Sequence, residues 1–390
     1  MASFPDAALA HDKRMRALEL LAVKAGRRFW RSVVAGSLTD SWNAQIPQLA
    51  TVLTAVQREA AIDGASYGAT TLAAQGLYRA PQGFVDVNAF AGIGKDGGPI
   101  EGMLYSPVAG VKQLIGAGVP LSQALSAGRS LLDRNVRSAV ADSGRGAASV
   151  DIASRQGVGY VRMLSLPSCK DCVVLAGKFY RWNAGFLRHP NCDCRHIPTT
   201  ENISENVTTD PYEYFKSLSD TEQDKAFTKA GAQAIRDGGD MFQVVNSRRG
   251  MKYAGESMDG SKRGQNVKSA FTSEGTTKRG AFGKSRRLTP EAIYRLNGDN
   301  RAAALVDLQK YGYILPGGQQ PAGVLRPGGG ASISELTAAD KRLRDARLQW
   351  DTVRDGRNPY GSGPLTPQIA ATAETNFRRW LATGGQVFTK

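Results

Sequence analysis

The amino-acid sequence predicts an α+β protein, mainly helical, with a small zinc-stapled β-hairpin domain and flexible basic and glycine-rich linkers. Three observations carry this. Apolar residues recur at helical spacing in both halves of the chain; residues 167–199 hold all four cysteines and two of the three histidines; and the segments between are rich in Gly, Ser, Lys and Arg. At 390 residues the chain exceeds one ordinary core, because domains run to about 100–200 residues. Its 44 glycines and 17 prolines, beside 41% hydrophobic residues, fit folded blocks joined by irregular segments.

Residues 1–80 read as an N-terminal helical region. Leu18, Leu21, Ala25 and Phe29 recur at helical spacing, and Trp42, Ile46, Leu49, Leu53, Val56 and Ala60 follow a three-four alternation suited to helix-on-helix packing. Pro47 begins the second run or kinks it. Residues 81–119 read as a Gly/Pro-rich connector. It contains a formal G-x-G-x-x-G at Gly92, Gly94 and Gly97, but Gly98 and Pro99 stand where a dinucleotide loop would open a helix, so a surface loop is expected.

Residues 120–246 form the expected α+β domain. A helix over 120–142 carries Leu121, Leu125, Leu131, Leu132, Val136 and Val140; "VGYVRMLSL" is a strand; the cysteine stretch follows; and a further helix runs to Gly238, placed as a C-cap. Residues 247–287 hold eleven Lys or Arg against three Asp or Glu, a net +8 in 41 residues. That composition buries too little surface to offset ordering entropy and predicts a mobile basic segment. Residues 288–390 read as a C-terminal helical tail with a Pro/Gly linker at 315–332. There Leu336, Ala339, Leu343, Ala346, Trp350 and Val353 form one apolar edge, packed on its own domain or on a partner helix.

The formal charge is +15, from 50 Lys and Arg against 35 Asp and Glu, with a pI near 9.7, which favours polyanionic partners such as nucleic acid. The basic segment offers Arg248, Arg249, Lys252, Lys262, Arg263, Lys278, Arg279, Lys284, Arg286 and Arg287 as non-specific DNA contacts. The N-terminus lacks the pattern of a signal peptide, and no apolar run approaches the ~20 residues of a membrane span. A reducing, cytosol-like compartment and no membrane anchor are therefore expected, and clustered cysteines there are ligands rather than disulfides.

Cys169 and Cys172 are two residues apart; sixteen residues later come His189, Cys192, Cys194 and His196. Two such close pairs, folded together across a hairpin in "VVLAGKFYRW", complete the tetrahedron that zinc prefers. Six candidates compete for four positions, and His196 is the one that equally well packs. A catalytic zinc needs a vacant position and a nearby base, and no base stands out. The expected zinc is structural, in a non-enzymatic protein without a small-molecule substrate. The enzymatic alternative is a zinc-stapled His-Asn-His nuclease using His189 and Asn191; such enzymes carry a further histidine, and only His11 is left over.

"GYVRMLSLPSCKDCVVLAGKFYRW" followed by "LRHPNCDCRHIPT" places C-x2-C before H-P-x-C-x-C and a closing proline. This resembles the signature of the MuF-like minor head (minor capsid) proteins of tailed phages, in its actinobacteriophage branch, over about residues 120–310. The resemblance implies a virion component made in the bacterial host cytoplasm and placed inside the capsid near the portal, in few copies. It also implies a role in head morphogenesis or DNA delivery, with the portal protein, other head proteins and genomic DNA as partners. Its signature residues match Cys169, Cys172, His189, Cys192 and Cys194. Some members carry the label capsid maturation protease; against that activity, this chain has no G-x-S-x-G elbow and no spare histidine beyond His11.

Overall fold

The computed structural model describes residues 4–94, 97–164, 168–186, 192, 194–236, 241, 245, 271–272, 287–288, 296–310, 314–316 and 337–387. Three long helices, α1 (Asp6–Trp30), α3 (Ile46–Ala74) and α5 (Leu121–Ser154), form a bundle, with the short α2 (Leu38–Asn43) beside it. Met15, Ala22, Val23 and Trp30 of α1 meet Leu49, Leu53, Val56 and Ala60 of α3 and Leu132, Val136 and Val140 of α5 in one core. The alternation read from Trp42 to Ala60 is thus a buried face. The α1 stripe is shifted from the expected one: Leu21 is 51% exposed, because the smaller Ala22 and Gly26 admit a closer neighbour. Pro47 sits in the first turn of α3, where its missing N–H would be unpaired in any case.

Helices α1 and α5 run antiparallel, with Gly26 against Leu132 and Val136 and with Met15 against Gly144. The α3–α5 contact is closer still. A methyl group on Gly64 would lie 2.2 Å from the Gly144 carbonyl oxygen, a backbone atom that moves only with its helix. Gly64→Ala should therefore destabilise the fold by about 1–3 kcal/mol through overpacking, read as a lower urea midpoint at unchanged slope. An unchanged midpoint would mean that the helices separate at no cost.

Residues 81–119 differ from the expected connector. They contain β1 (Gly83–Val85) and the helix α4 (Ile100–Gly116), and Ile100, Met103, Leu104, Val108 and Val111 of α4 lie in the bundle core. Gly92 and Gly97, at φ +78° and +79°, make the turn before it, a conformation that favours glycine. Pro107 lies inside α4, and a proline in that position reads as a helix breaker.

The chain then enters a three-stranded antiparallel sheet of β2 (Gly159–Met163), β3 (Phe179–Tyr180) and β4 (Arg195–Thr199), with β2 central. Tyr160 pairs with Tyr180 on one side and Pro198 on the other, and Arg162 with His196. The hairpin expected across "VVLAGKFYRW" is not formed. Its first half is the helix α6 (Lys170–Ala176), and β3 pairs with β2 instead. The β-branched Val173 and Val174 suggest strand, but both are buried in a second core, and tertiary packing overrides propensity.

That second core is covered by α7 (Pro211–Ser217), α8 (Asp220–Phe227) and α9 (Lys229–Arg236). Tyr214, Phe215, Phe227 and Ile235 pack there around Cys172, Cys192 and Cys194. The helix expected from Phe227 toward Gly238 is α9, which starts just after Thr228 at φ +69°; Gly238 lies outside the described residues.

Within the basic segment, β5 (Phe271–Thr272) and β6 (Arg287–Leu288) form a short antiparallel pair. Next come α10 (Arg301–Lys310) and β7 (Ile314–Pro316), and β7 pairs with β1 with Phe84 opposite Leu315. The expected linker thus begins inside a strand, and residues 317–336 lie outside the described ones. The C-terminal helices α11 (Ala338–Arg354) and α12 (Pro367–Thr383) form a hairpin. The expected apolar edge, Ala339, Leu343, Ala346, Trp350 and Val353, is buried; Leu343, Ala346, Trp350 and Val353 pack with Phe377 and Phe84. Of the two readings of that edge, packing within the chain is the one formed.

The hairpin is locked to the bundle by buried charges. Arg155 Nε donates to Asp151 Oδ2 at 3.0 Å, Arg378 Nη2 to Asp151 Oδ1 at 2.6 Å and Arg378 Nε to Glu374 Oε1 at 2.8 Å. Arg155 also bonds Glu374, and the Tyr78 hydroxyl donates to Glu374 Oε2 at 2.8 Å. No described helix is long and apolar enough to cross a membrane.

Candidate metal centre

The cysteines meet where the sheet joins the second core. Cys169 is the N-cap of α6, and its Sγ accepts the Cys172 N–H at 3.5 Å. Cys172 follows in the first turn, while Cys192 and Cys194 stand just before β4, one residue apart. The sulfurs of Cys172, Cys192 and Cys194 lie within 4.8 Å of one another, with Cys172 and Cys192 at 3.5 Å. Four thiolates at the zinc–sulfur distance of about 2.3 Å in a tetrahedron stand about 3.8 Å apart, so the three sulfurs fit a soft, tetrahedral ion. No disulfide joins any of the four cysteines.

Burial seals the cluster: Cys172, Cys192 and Cys194 are 2%, 5% and 1% exposed. Hydrogen bonding to Cys169, Cys192 and Cys194, then burial, pushes the Cys172 thiol up. Cys192 is held down by its bonds to Cys172 and Cys194 and by the Arg145 and Arg162 charges, against burial. Crowded thiols of this kind do not all ionise on their own, and a bound cation supplies the charge that lets them.

Two arginines frame the sulfurs. Arg145 of α5 donates from Nη1 to the Cys192 and Cys194 carbonyls at 2.8 and 3.3 Å and from Nη2 to Asp142 at 2.7 Å. It thereby fixes the backbone of the two residues that present these thiols. Arg162 of β2 brings Nη1 to 3.9 Å from Cys172 Sγ and lies over the Phe186 ring, 3.9 Å from its centroid. Ionised thiols crowded here would carry negative charge, and these guanidiniums stand close enough to offset it in the interior.

The other expected ligands fall differently. His189 lies outside the described residues. His196 is buried beside the centre, with its ring 4.4 Å from both Tyr160 and Phe186. Burial, then Arg162 and Arg145, keep it well below the usual histidine range, and it packs as a neutral ring. The third histidine, His11, is buried with Nδ1 2.6 Å from Asp63 Oδ2 and is stacked on Tyr67 at 3.8 Å. Of the ten basic residues offered for DNA contact, Arg287 lies on β6 opposite Thr272; the other nine lie outside the described residues.

The sequence reading missed Arg145 and Arg162. One faint signal existed for each: an arginine inside the apolar strand "VGYVRMLSL", and another among the small residues of "ADSGRGAAS". Compared with known protein families, with curated proteins and with solved structures, the chain matches none.

Proposed function

We propose that this chain is a non-enzymatic minor head protein of a tailed phage, of the MuF-like kind, whose cysteine lobe is stapled by one structural zinc ion. The observation that carries the reading is the sealed cluster of Cys172, Cys192 and Cys194, formed by the same C-x2-C and C-x-C residues that carry the family resemblance. Cys169, bonded through its sulfur to the Cys172 amide, supplies the fourth thiolate; His189 is the alternative donor. The ion holds α6 against the approach to β4, and Arg145 and Arg162 balance the charge of its thiolates.

A site with so little exposure admits no substrate, which favours the structural role over a protease or nuclease. In this reading the protein works inside the capsid near the portal, with portal and head proteins as partners. The basic segment over 247–287 touches packaged DNA without sequence preference. The test is composition of purified particles. The chain should be recovered in DNA-filled heads, protected from external protease, at a few copies alongside portal protein; its absence from intact particles would refute the reading.

A further inference from the structure

Along one flank of the antiparallel α1–α5 pair, Arg27 donates from Nε and Nη2 to Asp133 Oδ2 at 2.9 and 2.8 Å. On α1, Lys24 stands three residues before Arg27, and Arg31, the C-cap, four after it; on α5, Arg129 and Arg137 stand four residues to either side of Asp133. Residues three or four apart share a helix face, so these four cations surround the bridge. Gly128 lies against Trp30, and Gly26 against Leu132 and Val136. That register sets Arg31 toward Arg129 and Lys24 toward Arg137.

All four are exposed, and among the described residues none has an ion-pair partner. Lys13 continues the row on α1, so the cations from Lys13 to Arg31 extend about 27 Å at 1.5 Å per residue. Like charges facing one another across two rigid helices repel. An anion laid along the seam turns that repulsion into attraction.

The neighbouring side chains narrow the class of anion. Single strands need aromatic platforms for stacked bases, but Trp30 is buried and Phe29 packs against the core. A membrane-surface helix keeps a continuous apolar face for lipid, whereas Met15, Ala22, Val23 and Trp30 of α1 are spent inside the bundle and only Leu20 and Leu21 stand exposed among the cations. What remains is a rigid row of point charges, interrupted by two leucines and with no exposed aromatic ring among its described residues, which suits a regularly spaced phosphate backbone. We propose that the α1–α5 flank is a duplex-DNA backbone surface, distinct from residues 247–287. It rests on this geometry alone and requires neither the metal nor a virion location.

The test uses the full chain and a labelled duplex of about 30 base pairs and arbitrary sequence, titrated by fluorescence anisotropy from about 50 to 200 mM salt. The variant combines Lys24→Gln, Arg31→Gln, Arg129→Gln and Arg137→Gln. The control, Arg344→Gln, Arg347→Gln, Arg354→Gln and Arg357→Gln on and just beyond α11, removes the same charge elsewhere; circular dichroism checks both folds. The flank variant should bind at least tenfold more weakly, and its slope of log affinity against log salt should be smaller by about 3–4. The control should change neither by more than about a third of that. Equal effects of the two variants, or no effect of the first, would overturn the proposal. So would a parent chain that binds phosphatidylserine vesicles or polyglutamate as tightly as the duplex.

Discussion

Glu374→Leu is expected to destabilise the chain by about 3–5 kcal/mol and to release the α11–α12 hairpin. Glu374 and Arg155 are fully buried, and Asp151 and Arg378 nearly so. The four charges cancel. Removing Glu374 leaves two guanidiniums sharing the Asp151 carboxylate in the interior, and an uncompensated buried charge costs far more than the intact network gains. Leucine is close to glutamate in volume, so the loss comes from charge and not from a cavity. Hydrogen exchange should rise across residues 338–383 while α1, α3 and α4 stay protected. Unchanged protection there would sink the expectation.

The same residue sets a pH dependence. Burial opposes ionisation of Glu374, yet Arg155 and Arg378 outweigh it and hold the carboxyl at about 2, against an ordinary 4.5. A depressed carboxyl binds its proton later in the folded chain than in the unfolded one. Its stabilisation is therefore complete above about pH 4.5 and fades as the pH falls toward 2. Denaturation midpoints measured across that window should fall in the parent chain. The Glu374→Leu midpoint should fall less.

Cys172→Ser should abolish metal retention and unfold the lobe around α6–α9. Structural zinc contributes about 10–16 kcal/mol of apparent binding free energy in zinc-finger peptides, comparable to the whole stability of a domain. The lobe has its own apolar cluster, but the cysteines stand at its centre, so losing the ion opens its middle. Protein prepared without chelator should carry one zinc per chain by elemental analysis, and the variant none. The variant's thermal trace should split, with an early transition for the lobe and a later one for the α1–α3–α5 bundle. A metal-free parent chain, or a variant with unchanged zinc and melting, would contradict this.

Much of the bundle and of the C-terminal hairpin was legible in the sequence because α3, α5 and α11 repeat apolar residues with the period of a helix. The cysteine stretch was legible because four rare residues sit within a tenth of the chain. What stayed hidden had no local signal or a misleading one. Pro107 disguised α4 as a loop, and Val173 and Val174 disguised α6 as a strand. The Arg155–Glu374 contact joins residues 219 positions apart, and nothing near either one announces the other. Arg145 and Arg162 likewise look like surface residues until the fold closes over them.

The locking charges also make one end of the bundle depend on a distant part of the chain. Asp151 of α5 and Arg155, the residue just after that helix, form half of a buried set whose other half, Glu374 and Arg378, belongs to α12. Without α12, the Arg155–Asp151 pair would face water in place of a closed core. A chain cut before α12 would therefore leave Asp151 and Arg155 without their partners, and limited proteolysis should then open this end of the bundle first.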